Sequence, residues 1–122
     1  MTNGLQLGGV NGSVILPEQI FCFAWNNVPP GGHLLSALAT RLDELGFDEF
    51  WCGEHHSTGW ETIASPEMFL AAAGERTHRI MLGTGVISLP YHHPCNVAQR
   101  IVQLDHMTGG RAIFGSGPGA LP

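Results

Sequence analysis

Four apolar, β-prone runs begin near residues 19, 47, 80 and 111 of a 122-residue chain, so they recur about every thirty residues. A helical pattern separates each run from the next. Strand, helix, strand at that period is the βαβ unit, whose crossovers are right-handed and whose strands lie parallel. This repeat excludes a helical bundle and an antiparallel sandwich. It leaves an open α/β sheet or the first half of a (β/α)8 barrel, a fold that takes roughly 250 residues when whole.

The local chemistry supports each element. Gln19-Ile20-Phe21-Cys22-Phe23-Ala24-Trp25 reads as the first strand, followed by a Pro- and Gly-rich loop over 26–32. Leu34, Leu35, Leu38, Leu42 and Leu45 line one face of a helix that Gly46 stops. Phe47 to Cys52 forms the second strand. Ser65-Pro66-Glu67 is a helix start, with a hydroxyl cap, proline in the first turn and an acid beside it. Met68, Phe69, Ala72, Ala73 and Arg76 continue that helix. Ile80 to Leu89 reads as one near-continuous strand of the kind buried on both faces. Pro94, Val97, Ile101, Leu104 and Met107 make a third helix, which Gly109-Gly110 closes. Arg111 to Phe114 begins the fourth strand.

Composition narrows the function. Ten acids face five arginines and no lysine, for a net charge of −5. Scattered arginines make no phosphate-tracking stripe, so nucleic acid is not an expected partner. Charged residues are 12 % of the chain, against roughly 25 % in average globular proteins. So little charge implies a surface that something else covers. No apolar run reaches the roughly 18 residues of a membrane span. The N-terminus has no charged residue ahead of its apolar stretch and so lacks a signal peptide's n-region. Cys22, Cys52 and Cys95 are odd in number and far apart, which fits reduced thiols. The expected location is the cytoplasm.

The polar segments follow the strands. Glu54-His55-His56 follows the second, Tyr91-His92-His93 the third, and Gly115-Ser116-Gly117 the fourth. Parallel strands of one layer end on the same side, so these segments converge on the face where such folds place their sites. Glu54-His55-His56 has three readings: a histidine that moves a proton near neutral pH, a zinc ligand set, or plain hydrogen bonding to loop backbone. Adjacent side chains on an extended chain point to opposite sides, so His55 and His56 do not suit one ion. Gly115-Ser116-Gly117-Pro118-Gly119 is a weak dinucleotide fingerprint, because Pro118 stands where a helix should open. Gly83-Thr84-Gly85 marks either a close backbone approach by a ligand or a strand needing small inward residues. Gln99 and Arg100 lie early in the third helix, where the plain expectation is a solvated face.

From about Leu42 onward the chain resembles the flavin-dependent, bacterial-luciferase-like monooxygenases, in particular the limonene-monooxygenase-like and alkanal-monooxygenase-like branch. The stretches that carry the resemblance are LDELGFDEFWCGEHHSTGWETIASPEMFLAAAGERT, LGTGVISLPYHHP and LDHMTGGRAIFGSGPGALP, in that order. The resemblance implies a (β/α)8 barrel that binds FMN, supplied reduced by a separate flavin reductase, and uses O2 to oxygenate a small organic substrate. His55 matches the family's catalytic histidine. Gly85-Val86 matches a non-prolyl cis peptide beneath the flavin ring. Gln99 stands where the luciferase branch has an acid near the flavin. Ser116 and Gly117 stand where luciferase has a reactive cysteine and an arginine, so aldehyde chemistry and light emission are not expected.

The resemblance covers the first half of such a barrel only. Residues 1–17 read as a poorly ordered leader, and 18–122 as the N-terminal half, truncated after strand four. The expectation is a fragment, or a half that pairs with another copy as a homodimer, since an open four-stranded sheet exposes two edges. Two other functions stay open: a deazaflavin-dependent oxidoreductase of the same superfamily, and a non-catalytic flavin-binding module.

Overall fold

The computed structural model describes residues 19–22, 33–56 and 63–119. The expected leader over 1–17 and the loop over 26–32 lie outside them. Among the described residues there are six strands: β1 (Gln19–Cys22), β2 (Glu49–Cys52), β3 (Met81–Thr84), β4 (Ile87–Ser88), β5 (Ala112–Ile113) and β6 (Ser116–Gly117). Three helices join them: α1 (His33–Leu45), α2 (Pro66–Gly74) and α3 (Pro94–Thr108). The main sheet has the order β1-β2-β3-β5, and β4 pairs with β6 beyond it. Every pairing is parallel.

Two readings of the sequence are corrected. The run over 80–89 is not one strand: β3 stops at Thr84, the Gly85–Val86 peptide is cis, and β4 resumes at Ile87. The segment around Gly115 bonds to this break. Thr84 Oγ1 donates to the Gly115 carbonyl at 2.8 Å and accepts from the Gly115 amide at 3.0 Å. The Gly115 carbonyl also accepts from Ile87 N at 2.9 Å, so the same residue is bonded on both sides of the break between β3 and β4. Leu89 belongs to a short 3-10 turn over Leu89–Tyr91, which Pro90 suits because its missing N–H cannot extend a ladder. The second correction is Ser65, whose side chain makes no capping bond. Its carbonyl accepts from Met68 and Phe69 instead, and Pro66 begins the helix.

Alternation along the strands sets the layers. Phe50 and Cys52 of β2 and Leu82 of β3 are buried with Ala39 and Leu42 of α1, Leu70 and Ala73 of α2, Ile80, and Leu104 of α3. The rings of Phe50 and Phe69 pack 5.9 Å apart at a tilt. Trp51 stands on the opposite face of the sheet, paired in register with Gly83.

Two polar side chains close the end of the sheet where the strands begin. The carboxylate of Asp43 on α1 accepts from the amides of His78, Arg79 and Ile80 at 2.7, 3.0 and 2.7 Å. Arg111 spends its guanidinium on the carbonyls of Thr108, Ile80, Gly74 and Thr77 and on the Thr77 hydroxyl, at 2.9–3.0 Å. These bonds fix the strand starts, and the other end of the sheet is left to carry the site.

Candidate active site

β2 ends at Cys52, and residues 53–56 follow it outside any helix or strand. The chain here is stitched to the cis peptide on both sides: Gly85 N donates to Cys52 O at 2.8 Å, and Glu54 N donates to Val86 O at 3.1 Å. His55 N donates to Ile63 O at 2.9 Å, which anchors the backbone of the histidine. A Cβ on Gly53 would sit 2.8 Å from His55 Nε2 and 3.2 Å from the Gly85 carbonyl. The His55 imidazole thus lies over Gly53, beside the Gly85 carbonyl, and any side chain there would force the ring to shift. On the far side, a Cβ on Gly117 would meet a Val86 methyl at 3.1 Å, and β6 pairs Ser116 with Ile87.

Five of the six residues expected at the site therefore come together: His55, Gly85, Val86, Ser116 and Gly117. Gln99 stands apart. It is exposed on α3 and lines a polar groove with Tyr91, His92, His93 and Arg100. Gly83 answers the question its strand posed: the space a side chain would take is filled by the indole of Trp51. Among the described residues no group of three or more His, Cys, Asp or Glu side chains could hold a metal ion.

Beside this cluster lies a polar network that composition and spacing did not reveal. Glu54 is buried, with its side chain 1 % exposed. Its Oε1 accepts from His56 Nε2 at 2.5 Å and from His92 Nε2 at 2.8 Å, and its Oε2 accepts from Ser88 N at 3.0 Å. Burial alone would raise its pKa; the bonds from His56, Ser88 N and His92 outweigh it and hold the carboxyl below its ordinary value. Arg100 Nη2 reaches His92 Nδ1 at 3.1 Å, and Nη1 bonds Glu67 Oε1 at 2.6 Å. Arg100 is thus not the solvated helix residue expected. The i, i+2 spacing of Glu54 and His56 was the one sequence signal for the pair; the reach of Arg100 to His92 depends on the fold.

The face is built largely from backbone. Gly53, Gly85 and Gly117 carry no side chains, and Val86 supplies methyl groups between them. Such a surface fits a flat, mostly apolar ring with polar edges, as a flavin has. Arg100, the arginine that joins the network, is committed to Glu67 and His92 and is not free to grip a phosphate.

Comparison with known proteins agrees with this geometry. The family model for luciferase-like monooxygenases matches residues 20–122. The chain is 65 % identical over 85 residues to 4-hydroxyprotoasukamycin monooxygenase of Streptomyces nodosus subsp. asukaensis, covering 70 % of the chain and 23 % of that protein. It is 67 % identical over 84 residues to limonene 1,2-monooxygenase of Rhodococcus erythropolis, covering 69 % and 22 %. The match thus spans under a quarter of either relative's length. Among solved structures, the FMN complex of the oxygenating constituent of 3,6-diketocamphane monooxygenase from Pseudomonas putida superposes with a TM-score of 0.69 at 36 % identity. That match covers 71 % of the chain and 24 % of the other. The coenzyme F420-dependent tetrahydromethanopterin reductase of Methanopyrus kandleri gives 0.61 at 27 % identity, covering 84 % and 26 %. With 103 consecutive residues (20–122) matched by the family model and parallel strand ends arranged as described, the chain belongs to the luciferase-like monooxygenase family.

Proposed function

We propose that this chain forms the flavin-contacting part of a monooxygenase that uses reduced FMN and O2 to oxygenate a small organic substrate. The observation that carries the reading is the convergence of His55, the Gly85–Val86 peptide and Ser116–Gly117 at one end of a parallel sheet. The backbone of Gly85 and Val86, with Ser116 and Gly117 beside it, would hold the ring of the cofactor. Bound reduced FMN supplies two electrons to O2, so that one oxygen atom enters the substrate and the other leaves as water. The imidazole of His55 lies at that face on an anchored backbone and moves a proton there. Gln99 lies on a neighbouring groove, where it would act on the cofactor only at its periphery.

A second reading, in which the same face would take a deazaflavin, draws support from the likeness to the coenzyme F420-dependent reductase. Titration of the chain with FMN, followed by flavin fluorescence, tests the first reading. Saturable quenching in the micromolar range supports it, and absence of quenching overturns it for this chain. Displacement of bound FMN by a deazaflavin at lower concentration favours the second reading. A chain that binds FMN but leaves reduced FMN no more reactive with O2 and substrate would be a binding module.

A further inference from the structure

Glu54 stands at the centre of the polar network beside the strand-end face. Three N–H groups converge on its buried carboxylate, two of them from imidazoles. The direction of each bond can be worked out from Arg100. A guanidinium only donates, so His92 Nδ1 must offer a lone pair to Arg100 Nη2. The His92 proton is then on Nε2, which points at Glu54 Oε1. Glu67, with its carboxylate 2.6 Å from Arg100 Nη1, holds the guanidinium in place from α2. Arg100 Nε is also tied to the Asn96 carbonyl at 3.2 Å within α3. The fixed order is Glu67, Arg100, His92, Glu54, running from the helix layer to the end of β2.

We propose that this relay makes Glu54 a positioning residue, which holds the His56 ring in the tautomer protonated on Nε2 and locks the 53–56 segment against β4. Glu54 Oε1 accepts from His56 Nε2, so Nδ1 of His56 is the lone-pair nitrogen. The ring of Tyr91, 5.2 Å away, limits its rotation. Glu54 Oε2 accepts from Ser88 N, which ties the same carboxylate to the strand beyond the cis peptide. His55, between Glu54 and His56, has its ring over Gly53, beside the Gly85 carbonyl. One carboxylate thus fixes both the protonation pattern of one histidine and the backbone that presents the other. The consequence for oxygenation rests on the flavin reading above; the arrangement of protons does not.

Imidazole nitrogen chemical shifts of the full chain near neutral pH test the relay directly. The expected result is a single tautomer, protonated on Nε2, for both His92 and His56. Glu54→Gln should leave His56 averaging between its two tautomers, and Arg100→Met should do the same to His92 with His56 unchanged. An Nδ1-protonated His92 in the parent protein overturns the proposal, as does an unaltered His56 pattern in folded Glu54→Gln. If Glu54→Gln does not fold, the parent spectrum and Arg100→Met still decide. FMN titration of the parent separates the two claims: tautomers as stated without flavin binding leave the relay intact and remove the flavin reading.

Discussion

The indole of Trp51 lies across the backbone of Gly83, its register partner in the neighbouring strand, so closely that a Cβ on Gly83 would sit 2.5 Å from Trp51 Cε3. The same ring approaches the position a Cβ would take on Gly115, at 3.3 Å. One large side chain therefore reaches from β2 over β3 to the segment between β5 and β6; Gly83 admits it, whereas at Gly115 the tightest neighbour is the Thr84 carbonyl, 2.1 Å from the Cβ position. Trp51 is itself pinned, because Nε1 donates to Glu49 Oε2 at 2.8 Å. Gly83→Ala should destabilise the fold by about 1–3 kcal/mol through overpacking, even though alanine suits a strand better than glycine does. Urea midpoints of Gly83→Ala in the parent and in a Trp51→Leu background measure this. The expected outcome is a much smaller loss in the second background; equal losses would mean the two residues are not coupled.

Arg111 should matter more to stability than any other surface-reaching charge. Its guanidinium satisfies four backbone carbonyls at a point where α2, α3 and the start of β3 meet. A lysine has one compact head and cannot span that set. Arg111→Lys should cost about 2–4 kcal/mol, since several partly buried carbonyls lose charge-assisted bonds at once. Arg41, which pairs with the exposed Glu44, is the control: Arg41→Lys should change stability by less than about 0.5 kcal/mol.

Acid should unfold the protein through two carboxylates. At Asp43, burial pulls its pKa upward, but the amides of His78, Ile80 and Arg79, with the charge of Arg111, more than reverse that and lower it. Glu54 is lowered by the bonds described above. Both groups have folded pKa values below their unfolded ones, which are about 3.9 for Asp and 4.3 for Glu. Their contribution is therefore fully present above the unfolded values and is lost as the pH falls through the folded ones. Stability should be flat above about pH 5.5 with respect to these groups and should fall steeply below about pH 4.5. Asp43→Asn should be less stable than the parent at neutral pH and show a shallower acid slope. An unchanged slope, measured by denaturant melts across this range, would contradict the assignment.

Much of this arrangement was legible before any coordinates. The thirty-residue period placed β1, β2, β3 and β5 in one parallel sheet, because apolar spacing alone distinguishes strands from the helices between them. Parallel order then carried the segments that hold His55 and Ser116 to one end, while Gly85 was read as lying within a strand and only the resemblance placed it at the site. The break at Gly85–Val86 was not readable from periodicity, since Ile80 to Leu89 is apolar throughout; only the resemblance pointed to it. Ser65 had the chemistry of a cap, yet its hydroxyl is unused while Pro66 already sets the first turn. Glu54, His92 and Arg100 escaped for a different reason. Their bonds join residues 38, 8 and 33 positions apart, and no local pattern encodes a contact made by the packing of two helices on a sheet.

His55 offers the sharpest test of the chemistry. Its backbone, not its ring, makes the bond to Ile63 that anchors the segment. His55→Ala therefore removes the imidazole and leaves that anchor, and Gly53 loses a neighbour without gaining a clash. Flavin affinity should stay close to that of the parent protein, because the cofactor face is formed by Gly85, Val86, Ser116 and Gly117. Oxygenation by the FMN-loaded enzyme should fall by about 10²–10⁴-fold, the contribution usual for a positioned proton-transfer group. His55→Gln, which keeps a polar side chain of similar reach but cannot carry the proton, should be equally impaired. Turnover unchanged in either variant would remove His55 from the reaction; weakened flavin binding with normal turnover per bound flavin would make it a residue of the cofactor face instead.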